Sequence, residues 1–110
     1  MARINIKPLS VNDAWKGRRF KTDDYKVYEK SVLLLLPKKI VIPGGKIALK
    51  LTWGLSSKSG DIDNPIKCFV DCLQKKYGFN DNRIYEMNIK KVDVAKGDEF
   101  IEFSLSDYFD

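Results

Sequence analysis

Lys46 to Trp53 alternates without interruption: Ile47, Leu49, Leu51 and Trp53 interleave with Lys46, Ala48, Lys50 and Thr52. Successive side chains of a strand point to opposite faces, whereas a helix would spread these apolar residues around its circumference. The segment therefore reads as a strand with one buried face and one basic face. A lone strand cannot cover itself, so the chain must supply neighbouring strands and an apolar layer for the dry side.

The rest of the chain provides both. Arg3 to Lys7 alternates Ile4 and Ile6 with polar residues, a short strand stopped by Pro8. Residues 9–21 hold Asn12, Trp15, Lys16, Gly17, Arg18, Arg19 and Lys21, and are too polar and Gly-interrupted for a regular element, so an exposed basic loop is expected. Thr22 caps a helix predicted over about residues 23–36, with Asp23 and Asp24 at its positive end and Tyr25, Tyr28, Val32, Leu35 and Leu36 at helical spacing. Pro37 ends it. Gly54 to Gly60, with Ser56, Ser57, Lys58 and Ser59, reads as a flexible loop. A second helix follows, capped by Asp63 or Asn64, with Pro65 at its first position and a stripe of Ile66, Phe69, Val70, Leu73 and Tyr77 ending at Gly78. After an Asn80-Asp81-Asn82 turn, Tyr85, Met87 and Ile89 form a third strand. Ala95 to Asp98 reads as a hairpin turn into Phe100 to Leu105, and Ser106 to Asp110 is expected to fray. The predicted fold is α+β: one small domain over residues 1–110, with a mixed or antiparallel sheet packed with two helices in the order β-α-β-α-β-β.

Charge is segregated along the chain. Residues 1–60 carry 13 basic and 4 acidic side chains, net +9, and residues 61–110 carry 7 and 11, net −4. A basic surface for phosphate beside an acidic cluster for cations is one reading, and ordinary solvated surface is the other. Met1 to Leu9 lacks an apolar export core, and the longest apolar run, Val32 to Leu36, is far short of the roughly 20 residues that cross a bilayer. A cytoplasmic protein without a membrane span is expected. Cys68 and Cys72 fall on successive turns of the second helix, where a disulfide does not close, and read as reduced packing residues. With no His in the chain, two thiols make a poor zinc site, and any catalysis must run on carboxylates, Lys or metal.

In Asp61-Ile62-Asp63 the acids are one residue apart, so an extended backbone would send both the same way and Ile62 into the core. Asp81 follows one helix later, where the chain can return near the level it left. Two carboxylates about 4 Å apart repel by about 4 kcal/mol at an effective dielectric of about 20, so a converging trio requires a cation or a proton. All-oxygen ligation points to Mg²⁺ or Mn²⁺. Phosphodiester hydrolysis needs an activated water and a neutralised leaving oxygen, which bound metal supplies, and Lys67, one turn after Asp63, is spaced to meet the phosphate. The plainer alternative is a capping Asp-x-Asp, a turn-forming Asp81, and a Lys67 that simply pairs with Asp63 or Asp71.

The run Gly60-Asp61-Ile62-Asp63-Asn64-Pro65-Ile66-Lys67, then Phe69, Asp71, Leu73, Tyr77-Gly78-Phe79 and Asn80-Asp81, resembles the RusA family of Holliday junction resolvases. Pro8, Ser10 and Asn12, with Trp15 and Tyr28 after them, are similar to the family's opening, so the resemblance spans most of the chain. It implies a homodimer, in a bacterial or phage-infected cell, whose two Mg²⁺-dependent sites nick opposing strands of a four-way DNA junction. It also implies Asp61, Asp63 and Asp81 as metal-binding aspartates and Lys67 as the catalytic lysine. Where the family is strongly basic before the first Asp, this chain offers only Lys58. Lys16, Arg18, Arg19 and Lys21 are the candidates to replace that charge against DNA, and Trp15 is either the anchor of their loop or a DNA-facing aromatic. A nuclease for other branched or flap DNA, and a noncatalytic DNA-binding module, are the alternatives.

Overall fold

In the computed structural model, the described residues are 1–16 and 20–109, without the side chains of residues 15, 16, 20 and 21. The elements run β1 (Ala2–Ile4), α1 (Val11–Ala14), β2 (Trp15–Lys16), β3 (Phe20–Lys21), α2 (Asp23–Leu35), β4 (Ile47–Leu55), α3 (Ile66–Tyr77), a 3-10 turn (Asp81–Arg83), β5 (Ile84–Asp93) and β6 (Phe100–Asp107). The main sheet has the order β1-β6-β4-β5, and β2 and β3 form a separate small ladder. β4 runs parallel to β5 and antiparallel to β6, so the sheet is mixed, in an α+β domain as expected.

The alternating segment is the centre of the molecule. Ile47, Leu49, Leu51 and Trp53 are each no more than 1% exposed. α3 covers them with Cys68, Phe69, Cys72 and Leu73, all fully buried, and burying side chains of this size contributes roughly 1.5–3 kcal/mol each. Trp53 meets Phe69 edge-on at 5.8 Å between ring centroids, and Phe69 meets Phe103 of β6 at 5.5 Å. α2 adds Tyr25, Tyr28 and Val32, with Leu36 just beyond it. Thr22 caps α2 as predicted, accepting from the Tyr25 N–H at 3.2 Å. Gly78 ends α3 in the left-handed region at φ 75°, a conformation that carries no Cβ penalty for glycine. At Gly54 the demand is for space, since a Cβ there would stand 2.4 Å from the Phe100 ring.

Several expectations change. The turn at Ala95 to Asp98 is present, closed by the Asp98 N–H to the Ala95 carbonyl at 2.9 Å, but it makes no hairpin. β5 and β6 flank β4 instead of pairing with each other. β4 buries a whole face and needs a neighbour on each edge, whereas β5 leaves Tyr85, Met87 and Val92 exposed and suits the sheet border. Residues 9–21, expected to be irregular, contain α1 and the β2–β3 ladder. This segment is held by partners distant in sequence or too short to show a period: Val11 N–H donates to the Asn64 carbonyl at 2.9 Å, and Thr22 N–H to the Ala14 carbonyl at 2.9 Å. α3 starts at Ile66 with Pro65 in the cap position, and no side chain caps it. The tail expected to fray continues β6 to Asp107, and Tyr108 N–H donates to the Lys46 carbonyl at 3.0 Å.

Candidate active site

Residues 56–65 carry the chain from β4 to α3, and their carbonyls are pinned from three directions. The buried Trp53 indole donates to the Ile62 carbonyl at 2.9 Å, Lys91 Nζ to the Gly60 carbonyl at 2.8 Å, and Val11 N–H to the Asn64 carbonyl. With the backbone anchored inward, the side chains of Asp61, Ile62 and Asp63 stay exposed. Ile62, at 41% exposure, is therefore not the core residue expected from an extended strand. The segment bends instead: Ile66 N–H donates to the Asp63 carbonyl at 3.1 Å, which winds Asp63 into the helix start. The two acids consequently line different clefts. Asp61, whose Oδ2 accepts from Asn64 Nδ2 at 3.4 Å, faces a cavity of about 150 Å³ with Lys7, Ser10 and Ser56.

Asp63 lies on a groove of about 310 Å³ that also takes in Lys67, Asp71, Asp81, Ile84 and Met87. Its wall is the face of α3 that looks toward β5. Lys67 Nζ stands 3.7 Å from Asp71 Oδ2, with side chains 60% and 32% exposed. Gln74 joins this pair to the far end: its Nε2 donates to Asp71 Oδ1 at 3.4 Å, and its Oε1 accepts from the Asp81 N–H at 2.9 Å. The 3-10 turn bearing Asp81 is further set by Asn80 Oδ1, which accepts from Asn82 N–H at 3.0 Å. Arg83 ties the same turn to the loop before β4 by donating to the carbonyls of Gly45 and Pro43.

Asp63, Lys67 and Asp81 thus share one groove, while Asp61 stands round the corner. Gln74, which holds the Asp81 N–H, lies eight residues along α3 from Ile66, about 12 Å at the α-helical rise. Among the described residues, no three Asp, Glu or Cys side chains gather closely enough to hold a metal ion. Lys58 is exposed on the loop, and Lys16 and Lys21 lie in β2 and β3 with side chains outside the described set. Arg18, Arg19 and the Trp15 side chain also lie outside it.

Cys68 and Cys72 form no disulfide and are buried, and burial, aided by the Asp71 charge, pushes the Cys68 thiol up to about 11. A thiol held neutral and out of water supplies neither nucleophile nor ligand. Gln74 and Lys91 were invisible to sequence reasoning, since a single amide on a helix and a lysine on a strand carry no periodic or motif signal. Among the described residues no helix is long and apolar enough to cross a membrane. A family model described as Endodeoxyribonuclease RusA matches residues 8–102 of the 110-residue chain. No curated protein matches it.

Proposed function

Because the chain belongs to the RusA family of endodeoxyribonucleases, we propose that it resolves four-way DNA junctions by paired, symmetric nicks, as a homodimer that uses Mg²⁺ or Mn²⁺. The observation that carries this reading is the α3 groove, onto which Asp63, Lys67 and Asp81, residues of the family-like motif, all open. The donor chemistry fits a hard cation, with carboxylate oxygens outward and both thiols buried. Mg²⁺ typically retains several waters and takes one or two carboxylates together with substrate phosphates, so it needs no three-carboxylate cage: Asp63 and Asp81 are the groove residues that would hold it, and Asp61, which lines the neighbouring cleft, is the motif's third candidate. When bound, such an ion supplies Lewis acidity to the scissile phosphate and lowers the pKa of a coordinated water.

The chain's own groups do the rest. An exposed ion pair such as Lys67 with Asp71 contributes only about 0–1 kcal/mol, so the Lys67 ammonium exchanges this partner readily for a phosphate or a departing oxygen. Asp71 then serves as the resting partner that keeps Lys67 over the groove. Lys16, Arg18, Arg19, Lys21 and Lys58 are proposed to contact the DNA backbone, which positions the junction without reading its sequence.

Incubation of the protein with a synthetic four-way junction, a flap and a linear duplex, each with Mg²⁺ and with EDTA, tests the proposal. Symmetric nicks in the junction that need the metal are expected, and absence of cleavage under every divalent ion would overturn it. Gln74→Leu keeps a good helix former but removes the acceptor for Asp81 and the donor to Asp71. It is expected to lower the nicking rate by about tenfold to a hundredfold, the range typical of residues that orient metal ligands. Raising Mg²⁺ should recover part of that loss, and a rate equal to wild type would remove Gln74 from the site.

A further inference from the structure

The register of β5 slips near its start. Ile47 of β4 lies opposite Ile84, yet the next residue, Ala48, lies opposite Glu86, so Tyr85 is an extra residue with no counterpart in β4. An extra residue of this kind bends a strand and re-aims its side chain, and such bulges recur beside active sites. Here it leaves the Tyr85 ring 57% exposed, outside the core.

Two groups frame that ring. Tyr108 lies against it with centroids 5.7 Å apart and planes tilted by 30°, and its own backbone is fixed where its N–H donates to the Lys46 carbonyl at 3.0 Å. Lys46 Nζ stands over the Tyr85 ring, 4.8 Å from the centroid. Beside them opens a cleft of about 320 Å³ lined by Gly45, Lys46, Asn82, Arg83 and Tyr85. Arg83 donates to the carbonyls of Gly45 and Pro43, which fixes its guanidinium at the cleft and leaves other N–H groups of the fork for a further acceptor. We propose that Tyr85 and Tyr108 form a stacking platform for an unpaired nucleobase of single-stranded DNA, with Lys46 and Arg83 taking the phosphate next to it.

The chemistry selects this ligand. An aromatic face accepts any flat apolar surface, but two cations at its rim select one that carries an anion, and an unpaired nucleotide offers both. A base inside a duplex has its faces covered by its neighbours and cannot reach the rings. An exposed cation–π contact shifts an equilibrium by about fivefold at most, whereas stacking a base on an aromatic side chain shifts it by about fivefold to about 150-fold. An incoming base therefore displaces the Lys46 ammonium from Tyr85 and releases it to the phosphate. The place in the fold agrees, since Tyr85 directly follows Ile84, a wall of the α3 groove, and Asp81 on the same groove is four residues earlier. That the strand is one emerging from a junction rests on the proposed nuclease function; the stacking itself rests on the two rings and two cations.

Fluorescence anisotropy in EDTA, with a short labelled single strand of mixed sequence and with the matching duplex, tests the platform apart from cleavage. Tyr85→Ala is expected to weaken single-strand binding by about tenfold or more and to leave duplex binding unchanged. Tyr85→Phe keeps the ring and should bind both like wild type. Both variants should keep the wild-type circular dichroism spectrum, since the side chain is exposed. Lys46→Gln should weaken single-strand binding and reduce the slope of log affinity against log salt by about 0.7, the value of one phosphate contact. Unchanged single-strand binding by Tyr85→Ala, an equal loss on the duplex, or a loss by Tyr85→Phe as large as that of Tyr85→Ala would each overturn the platform. A protein that never nicks a junction in Mg²⁺ yet shows this dependence on Tyr85 would lose the nuclease reading and keep the platform.

Discussion

Asp63→Asn is expected to abolish junction nicking, with a rate loss on the order of a thousandfold or more, since a ligand to a catalytic cation supports several kcal/mol of transition-state charge stabilisation. Its fold should be intact. Asp63 is exposed, and what it gives the helix start is its backbone carbonyl, which asparagine also offers to the Ile66 N–H. A surface change of this kind usually moves stability by no more than about 0.5 kcal/mol. Removing one negative charge beside the groove should leave junction binding the same or tighter in a gel-shift assay. Millimolar Mg²⁺ should raise the Tm of wild type, through preferential binding to the folded state, and raise that of Asp63→Asn much less. Undiminished nicking by Asp63→Asn would leave the groove without a catalytic role, whatever the oligomeric state.

The parts of the fold visible in the sequence are those decided by one element's own pattern. The alternation of Lys46 to Trp53, the α3 stripe around Phe69 and Leu73, the Thr22 cap and the glycine at position 78 each act over a turn or two of chain, so local physics is enough. Strand partnership is a different matter. The Ala95 to Asp98 turn has ordinary turn chemistry whether its strands pair or straddle a third, and the competition for the central place was won by β4, whose apolar residues exclude water almost completely. The directions of Asp61 and Asp63 are not decided locally, for a related reason. Alternation holds only for extended backbone, and here the loop is bent by contacts from Trp53, Lys91 and Val11, residues far from it in sequence or folded under it. Asp63, Lys67 and Asp81 are recognisable as site candidates because they form part of a motif, but their opening onto one groove while Asp61 lines another cleft is a property of the assembled fold.

Trp53 links that fold to the site, and substitutions there should separate the two roles. Trp53→Ala removes a fully buried indole that packs on Phe69, a change that typically costs about 3–5 kcal/mol. For a domain near this size, each kcal/mol lowers Tm by roughly 4–8 °C, so a fall of about 15 °C or more is expected by circular dichroism. Trp53→Phe keeps most of the apolar contact but loses the donor to the Ile62 carbonyl, the peptide group that lies between the two motif aspartates. Loss of such a hydrogen bond costs about 1–3 kcal/mol when it leaves a buried partner unsatisfied, and less here because the loop can turn that carbonyl to water. The Phe variant should therefore be folded at room temperature with only a modest drop in Tm. Its nicking rate should nevertheless fall by about tenfold or more, since a residue only ~1 Å out of place can cost about a hundredfold in a positioned reaction. Wild-type turnover by a stably folded Trp53→Phe protein would mean that the indole supports the core alone and that the aspartate loop keeps its shape without it.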